Sequence, residues 1–462
     1  MMGDYMAIWP VALFIVVILG LMTGYPVAFV LAGVALIFAA LGSLFGVMDD
    51  SFIMLLPNRL YGIMTNPTLM AVPLFVLMGI LLEKSKLAES LLTALSSVFG
   101  RFRSGMAIAV ILVGMLLAAS TGIVGATVVT LGLLALPSMR QQGYDMKLAT
   151  GTIAATGTLG QIIPPSIALV LLGDILSSTY QQVQLNLGNF SPKTVSVGDL
   201  FAGAIIPGLL LVGAYLAYVM FRGRGLSPQQ HEVQTESDIP VASIRQIIWA
   251  LLPPLALMLV VLGSILTGFA TPTEAAGVGA IGAAILALCR GNMGLNTWRA
   301  CAVETTLVTS MVFLILFGAS LFSAVFYGLG GEQMVHDAIS YVPGGVIGAT
   351  VMIMLLIFLL GFILDFIEIT FVVVPIVAPV LLMMGLDPIW LGIMIAVNLQ
   401  TSFLTPPFGF ALFYLRGVVP DNVATTDIYR GVIPFIVIQV MLMIAMAVWP
   451  ELATWLPEQI YG

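Results

Sequence analysis

The stretch Gly157-Thr-Leu-Gly-Gln-Ile-Ile-Pro-Pro-Ser166 places polar residues and two consecutive prolines inside an otherwise apolar run. A second stretch, Asn398-Leu-Gln-Thr-Ser-Phe-Leu-Thr-Pro-Pro-Phe-Gly409, repeats this pattern in the other half of the chain. Because proline lacks a backbone N–H and crowds the preceding turn, we expect a helix to unwind at each of these two breaks. Unwound backbone is tolerated at membrane depth only where it faces protein or a water-filled cavity. Paired breaks in two halves of one chain are typical of the binding site of a secondary transporter.

The composition around these breaks is that of an all-α integral membrane protein. Hydrophobic residues make up 60% of the 462 residues and charged residues 8%, with a mean hydropathy of +1.13. Soluble domains carry about 25% charged residues. Apolar runs of about 20 residues, which can cross the hydrocarbon layer, recur along the chain and predict about ten spans. These spans are predicted at 8–22, 25–43, 68–84, 147–173, 200–222, 246–267, 271–290, 304–327, 390–416 and 431–450.

Two further apolar stretches, 104–138 and 344–385, are too long for a single crossing. Small residues interrupt the first near its middle, and Asp365 and Glu368 interrupt the second. We therefore predict two re-entrant helical hairpins, named here the first hairpin (104–138) and the second hairpin (344–385). Lys and Arg residues flank the first hairpin, so the positive-inside rule predicts that it opens to the cytoplasm and that the second opens outward.

The order of elements repeats along the chain. Residues 1–223 and 246–462 each contain scaffold spans, an amphipathic stretch (86–100 or 330–342), a hairpin and a broken span. An odd number of crossings separates equivalent elements, which predicts two inverted repeats, an architecture of secondary transporters. The polar residues 224–245 between them are predicted to form a cytoplasmic linker.

The second hairpin carries the carboxylates that stand out most. An ionisable group inside hydrocarbon is costly, so Asp365 and Glu368 are functional candidates. They are three residues apart and share one face if this turn is helical. Carboxylate and carbonyl oxygens at a hairpin tip would suit a hard cation such as Na⁺. The alternative interpretation is that the tip reaches the aqueous interface and the acids are simply solvated.

Hydroxyl and amide side chains collect at the first hairpin tip and at the two breaks. Ser120, Thr121 and Gly122 form the tip, where close packing of small residues is the alternative interpretation. The two broken spans are predicted to face each other through Thr156, Gly157, Thr158, Gly160 and Gln161 on one side and Gln400, Thr401, Ser402 and Thr405 on the other. Freed carbonyls and hydroxyls there can coordinate Na⁺, and the N-terminal ends of the resumed half-helices can attract an anion.

Other features indicate structure rather than chemistry. Thr271-Pro-Thr-Glu274 has the pattern of a helix N-terminus. Cys289 and Cys301 are predicted to be free thiols. The sequence contains no HExxH, Walker or GxSxG motif, which argues against an enzyme and an organic cofactor, and no basic cluster that would favour nucleic acid.

Four motifs together resemble the large membrane subunit, the DctM type, of tripartite ATP-independent periplasmic (TRAP) transporters over essentially the full length. They are Gly160-Gln-Ile-Ile-Pro-Pro-Ser166, Phe269-Ala-Thr-Pro-Thr-Glu-Ala-Ala276, the Leu364-Asp365 tip followed by Pro375 and Pro379, and Thr405-Pro-Pro-Phe-Gly409.

The resemblance implies a sodium-driven elevator transporter of the bacterial inner membrane that works with other chains. The implied partners are a small four-span membrane subunit, a periplasmic substrate-binding protein, the lipid bilayer and an organic anion such as a dicarboxylate, sialic acid or 2-oxo acid. The implied Na⁺ ligands are Ser120, Gly157, Gly160, Ile163, Pro165, Asp365, Thr401 and Thr405. The implied substrate contacts are Ser120, Thr121, Gly122, Pro165, Ser166, Glu368, Gln400 and Pro407.

The sequence thus predicts the permease subunit of a Na⁺-coupled TRAP transporter that imports an organic carboxylate. The polar segment from Asp174 to Asp199 is expected to be a long outer loop that contacts the binding protein. An alternative stays open, namely a stand-alone ion-coupled carboxylate carrier that needs no binding protein. A third hypothesis, an intramembrane enzyme acting on a lipid-linked substrate, is disfavoured by the missing catalytic motifs.

Overall fold

A computed structural model describes most of the chain. The described residues are 2–49, 54, 56–99, 102, 104–190, 194–223, 244–291 and 293–462. For residues 2–7, 120, 121, 244–247 and 340 only the backbone is described. The predicted linker 224–245 lies outside the described residues up to position 243.

Helices account for nearly all of the regular structure in the described part of the chain. The first ten are α1 Met2–Met22, α2 Val27–Leu44, α3 Leu56–Thr65, α4 Ala71–Lys84, α5 Leu87–Phe99, α6 Gly105–Thr121, α7 Val124–Gln141, α8 Met146–Thr158, α9 Ile167–Asn186 and α10 Val197–Gly223. The others are α11 Ile244–Leu266, α12 Pro272–Cys289, α13 Leu295–Gly328, α14 Gly331–Ser340, α15 Gly345–Leu360, α16 Phe366–Met383, α17 Pro388–Leu404, α18 Phe410–Arg416, α19 Thr425–Val448 and α20 Glu451–Tyr461.

Within the described residues, seven helices are long and apolar enough to cross a bilayer. They are Val27–Leu44, Val197–Gly223, Ile248–Leu266, Pro272–Cys289, Leu295–Gly328, Phe366–Met383 and Thr425–Val448. Among the shorter apolar helices, Gly105–Ala119 lies in the first predicted hairpin and Pro388–Leu404 in a predicted broken span. The chain is therefore an all-helical, multi-pass membrane protein, and the figure of about ten spans remains a prediction.

Contacts between residues divide the chain into two compact units. The first unit comprises Met1–Met70, Leu171–Ser196 and Leu307–Pro388, and the second comprises Ala71–Val170, Val197–Thr306 and Ile389–Gly462. Each unit takes segments from both predicted repeats, and the inverted relation of those repeats stays a prediction.

Aromatic rings mark the interior of each unit. In the first unit, Phe14 packs edge-on against Phe322, with ring centroids 5.2 Å apart, and against Phe326 at 5.5 Å. In the second unit, Tyr215 packs edge-on against Phe435 at 5.0 Å. Edge-to-face pairs at these distances add stabilisation beyond the buried area.

The first hairpin has its break where the sequence placed it. Helix α6 ends at Thr121, and Gly122 adopts the left-handed conformation with φ of 62° before α7 begins at Val124. Glycine adopts this conformation without a steric penalty. The arms α6 and α7 pack on each other, so the stretch is a helix–turn–helix. Its re-entrance remains a prediction.

The second hairpin is broken between α15, which ends at Leu360, and α16, which begins at Phe366. Within α16, residues Ile369–Val373 form a π turn, in which the Val374 N–H donates to the Ile369 carbonyl. Such turns relieve a local mismatch in the helical hydrogen-bond pattern and recur at functional sites. The arms α15 and α16 contact each other within the first unit.

The sequence predicted a loop from Asp174 to Asp199. The first part of this prediction is wrong, because helix α9 continues to Asn186. No glycine or proline interrupts residues 174–186. Leu176 and Val183, seven residues apart on one helical face, are 0% and 2% exposed. Burial of this apolar face stabilises a helix over residues 174–186 although most of their side chains are polar.

Several smaller predictions are confirmed. The amphipathic stretches 86–100 and 330–342 contain α5 and α14. Thr271 accepts a hydrogen bond from the Glu274 N–H, and the Glu274 carboxylate accepts one from the Thr271 N–H at 2.8 Å, which is a capping box. Cys289 and Cys301 are free.

Candidate functional site

The first break is built around two carbonyls that the prolines leave without helical donors. Helix α8 ends at Thr158, one 3₁₀ turn follows, and α9 resumes at Ile167. In a helix the Gly160 and Gln161 carbonyls would accept from residues 164 and 165, but both of these are proline. The Ser166 hydroxyl lies 2.8 Å from the Gly160 oxygen and 3.2 Å from the Gln161 oxygen. One hydroxyl carries one proton, so one of the two carbonyls keeps its lone pairs free of this donor.

At the second break, a backbone N–H rather than a serine hydroxyl donates to a carbonyl that a proline leaves without its helical donor. Helix α17 ends at Leu404 and α18 begins at Phe410. The Ser402 carbonyl, deprived of a donor by Pro406, accepts from the Thr405 N–H at 3.0 Å. A Cβ at position 409 would lie 2.5 Å from the Phe403 carbonyl oxygen, so only glycine fits there.

A buried hydrogen bond joins the two broken spans within the second unit. The Gln400 Nε2 donates to the Thr158 Oγ1 at 3.2 Å. Both residues are 0% exposed. The Thr158 hydroxyl in turn donates to the Ala155 carbonyl at 2.8 Å. The structure therefore brings together the two polar stretches that the sequence predicted to face each other.

The first hairpin tip lies against the first break. A Cβ on Gly122 would be 3.2 Å from the backbone nitrogen of Ile167, and one on Gly160 would be 3.1 Å from the Ala118 carbonyl oxygen. The hairpin tip, the end of the 3₁₀ turn and the start of α9 are thus in van der Waals contact. The side chains of Ser120 and Thr121 lie outside the described residues.

Three buried oxygens on the broken spans have no hydrogen-bond partner among the described residues. They are the Thr156 Oγ1, the Gln161 Oε1 and the Gln400 Oε1, on residues that are 0%, 2% and 0% exposed. Buried polar atoms in native proteins almost always have a partner, so these oxygens are available to bind a water molecule or an ion. No group of three or more His, Cys, Asp or Glu side chains able to hold a metal occurs in the part of the chain that the structure describes. The atoms that could coordinate a cation at the two breaks are therefore mostly uncharged oxygens.

The predicted site residues divide between the two units. The second unit contains Gly122, Gly157, Gly160, Ile163, Pro165, Ser166, Gln400, Thr401, Thr405 and Pro407, together with the positions of Ser120 and Thr121. The first unit contains Asp365 and Glu368.

Asp365 and Glu368 form a capping box at the start of α16. The Asp365 Oδ1 accepts from the Phe366 N–H at 2.7 Å, and the Glu368 Oε2 accepts from the Asp365 N–H at 2.9 Å. Glu368 is 5% exposed. The spacing of three residues thus has a structural purpose that the sequence interpretation did not include, because a capping box satisfies the first donors of a helix.

Sequence reasoning missed two buried polar features, one in each unit. Thr370, in the π turn, is 0% exposed, and its hydroxyl has no partner among the described residues. Gln439 in α19 donates to the Tyr215 hydroxyl at 2.9 Å, and both side chains are fully buried in the second unit. The available signal was a lone amide or hydroxyl inside an apolar run, since such groups need a partner in a membrane.

Comparison with known proteins decides the family. A profile described as the DctM component of the tripartite ATP-independent periplasmic transporter matches residues 14–452. The chain belongs to this family. Its relatives are transport permeases, which agrees with the lack of enzyme motifs.

Individual relatives cover almost the whole chain. It is 28% identical to the C4-dicarboxylate TRAP transporter large permease protein DctM of Vibrio cholerae, over 98% of each chain. It is 30% identical to the protein of the same name from Pseudomonas aeruginosa, over 87% of this chain and 88% of that one. It is also 30% identical to the sialic acid TRAP transporter large permease protein SiaM of Vibrio cholerae, over 96% and 97%.

Solved structures of transporters share the fold at low sequence identity. The YdaH transporter of Alcanivorax borkumensis superposes with a TM-score of 0.60 at 16% identity, covering 87% of this chain and 88% of that one. The MtrF protein of Neisseria gonorrhoeae gives a TM-score of 0.59 at 16% identity, covering 95% and 94%.

Proposed function

We propose that this chain is the permease subunit of a TRAP transporter that imports an organic carboxylate across the bacterial inner membrane, coupled to Na⁺. The observation that carries the proposal is the set of unpaired buried oxygens on the two broken spans, on Thr156, Gln161 and Gln400. Uncharged and carboxylate oxygens are the ligands that hard cations prefer.

The proposed Na⁺ ligands at the first break include a freed carbonyl. Ser166 can satisfy only one of the Gly160 and Gln161 carbonyls at a time, so the other is available to a cation. Asp365 and Thr370 in the first unit are proposed to serve a second cation, since a carboxylate and an unpaired buried hydroxyl lie five residues apart at the start of α16. We propose Na⁺ because both sets consist of oxygens and lack the nitrogen and sulfur ligands of transition metals.

The start of α9 is the proposed contact for the substrate carboxylate. Helix α9 begins at Ile167, directly after the break, and runs for 20 residues. The first N–H groups of a helix and its dipole attract a negative charge. Gly122 of the first hairpin tip lies beside the Ile167 nitrogen, so a movement of the tip would control whether an anion can reach the start of α9.

The relatives support a proposal for the substrate class and the partners. These are named for C4-dicarboxylates, sialic acid, isethionate and ectoine, all of which carry an acidic group. We propose an organic acid of this kind, delivered by a periplasmic binding protein and handled together with a small four-span membrane subunit. The hairpins and broken spans are proposed to move as one body, in an elevator mechanism.

The test is uptake into proteoliposomes that hold this chain with its small subunit. The binding protein is added outside, and an inward Na⁺ gradient is compared with a choline gradient. Labelled succinate, N-acetylneuraminate and pyruvate serve as probes. Accumulation of one probe that requires both Na⁺ and the binding protein is expected.

Two results would contradict parts of the proposal. Uptake that persists without the binding protein would establish the stand-alone carrier. Equal rates of uptake in Na⁺ and in choline would refute the proposed sodium coupling, but they would not contradict the assignment as a permease.

A further inference from the structure

Helix α16 contains a proline that leaves one of its carbonyls without a helical donor. Pro379 lies in the second half of this helix, and the carbonyl four residues before it belongs to Pro375. Because Pro379 has no N–H, the helix cannot supply the hydrogen bond that the Pro375 carbonyl would normally accept. A buried carbonyl without a donor is costly, above all in a membrane, where water is not at hand.

A tyrosine from another helix supplies the missing donor. The Tyr327 hydroxyl donates to the Pro375 carbonyl oxygen at 2.6 Å. Tyr327 lies in the last turn of α13, and both residues belong to the first unit. The contact is therefore a side-chain bond to the one carbonyl of this helix that Pro379 deprives of its partner.

The position of this bond within α16 is informative. It lies immediately after the π turn Ile369–Val373, where the backbone pattern has already shifted by one residue. The helix starts with the Asp365–Glu368 capping box at the hairpin tip. Between the π turn and Pro379 the helix has fewer regular backbone hydrogen bonds. In that stretch the Tyr327 hydroxyl, which belongs to another helix, donates a hydrogen bond to the backbone.

We propose that Tyr327 is a positioning residue for transport. Its hydroxyl replaces the missing Pro379 N–H and fixes α16 against α13, and thereby holds the Asp365–Glu368 tip in its working geometry. Tyr327 acts through the helix and does not touch the transported molecule. The inference needs the chain to be a transport permease, and it is independent of Na⁺ coupling and of the substrate.

The experiment is a double-mutant cycle with Tyr327→Phe and Pro379→Ala in the complete transporter. Initial uptake of labelled succinate, N-acetylneuraminate and pyruvate is measured in proteoliposomes. Tyr327→Phe leaves the Pro375 carbonyl unpaired, and we expect uptake to fall about five- to tenfold. Pro379→Ala supplies the backbone N–H that this carbonyl lacks. In that background Tyr327→Phe should change uptake less than about twofold.

Matched controls separate this bond from general effects. Tyr341→Phe removes the hydroxyl of a tyrosine that is 88% exposed in the same unit, and no change in uptake is expected. Pro434→Ala removes a proline from inside α19 in the second unit. In the Pro434→Ala background Tyr327→Phe should keep its full effect.

A second readout keeps the inference independent of the substrate. Amide hydrogen exchange of residues 374–383 is followed in lipid nanodiscs. Exchange should rise in Tyr327→Phe and return to the Pro379→Ala level in the double variant. If none of the three probes is accumulated, that result counts only against the proposed substrates, and the exchange measurement still tests whether the Tyr327 hydroxyl holds α16 in place.

The comparison of Tyr327→Phe with the double variant also remains informative if Tyr327→Phe prevents folding. If Tyr327→Phe yields no folded protein, the Tyr327→Phe/Pro379→Ala variant should restore it. The inference is overturned if Tyr327→Phe has no effect on uptake or exchange. It is equally overturned if its effect is as large in the Pro379→Ala background as in the natural sequence.

Discussion

The Gln400 side-chain amide donates a hydrogen bond to the Thr158 hydroxyl over 3.2 Å, and so links two broken helices that are far apart in the sequence. Both side chains are completely buried. The same Gln400 presents an Oε1 that has no partner among the described residues. One residue therefore both connects the two breaks and offers an oxygen to a ligand.

This link predicts coupled effects of Gln400→Met and Thr158→Val on transport. Each change keeps the approximate volume but removes the hydrogen bond, so each should lower uptake and raise the Na⁺ concentration that gives half-maximal uptake. The interaction free energy in a double-mutant cycle should be about 0.5–1.5 kcal/mol. Gln182→Met is the control, because Gln182 bonds Asn186 on an exposed helical surface. Additive effects of the two buried substitutions would count against the link.

Ser166→Ala should destabilise the protein more than a serine substitution elsewhere. It removes the hydroxyl that lies within 3.2 Å of both carbonyls freed by the double proline. A buried unpaired carbonyl costs about 1–3 kcal/mol. The measurement is the apparent unfolding temperature in detergent, in the presence of choline rather than Na⁺. Ser178→Ala is the matched control, since Ser178 bonds the Ile175 carbonyl at 2.9 Å on an exposed turn, and it should be nearly neutral. Equal shifts in the two variants would refute the role given to Ser166.

Two substitutions at Asp365 separate helix capping from ion binding. The Asp365 Oδ1 accepts the Phe366 N–H, and an asparagine oxygen can do the same. Asp365→Asn should therefore leave stability within about 0.5 kcal/mol but weaken the Na⁺ dependence of uptake. Asp365→Ala should also destabilise the protein by about 0.5–2 kcal/mol, because it removes the cap. Asp337→Asn, at an exposed position, is the control for loss of charge. Normal uptake at low Na⁺ in Asp365→Asn would falsify the ion-binding role.

Gly122→Ala tests the packing of the first hairpin tip. Gly122 has φ of 62°, and a Cβ there would approach the Ile167 nitrogen to 3.2 Å. Gly24 also has a positive φ, 82°, but a Cβ there would meet nothing within 4 Å. Gly24→Ala should cost about 1–2 kcal/mol from backbone strain alone. Gly122→Ala should cost more and should also reduce uptake, because the tip would be displaced from the first break. A similar loss in both variants, with full uptake, would indicate that the tip contact is unimportant.

Much of this molecule could be predicted from the sequence. Proline removes a backbone N–H at any position, and polar residues precede both Pro164-Pro165 and Pro406-Pro407, so the two helix breaks could be predicted from the sequence. Apolar runs of membrane length determined the helical, multi-pass class. The Thr271–Glu274 capping box was equally visible, because its partners are three residues apart.

Only the tertiary structure decided how these local features are satisfied. The sequence showed that prolines free carbonyls, but it did not show that the Ser166 hydroxyl would lie within reach of two of them at the first break or that Tyr327 would serve the Pro375 carbonyl. It also could not show that Gln400 would meet Thr158. Proline removes a donor through local covalent chemistry, which any sequence reveals. The replacement donor comes from wherever packing places a hydroxyl or an amide, and that depends on the whole fold.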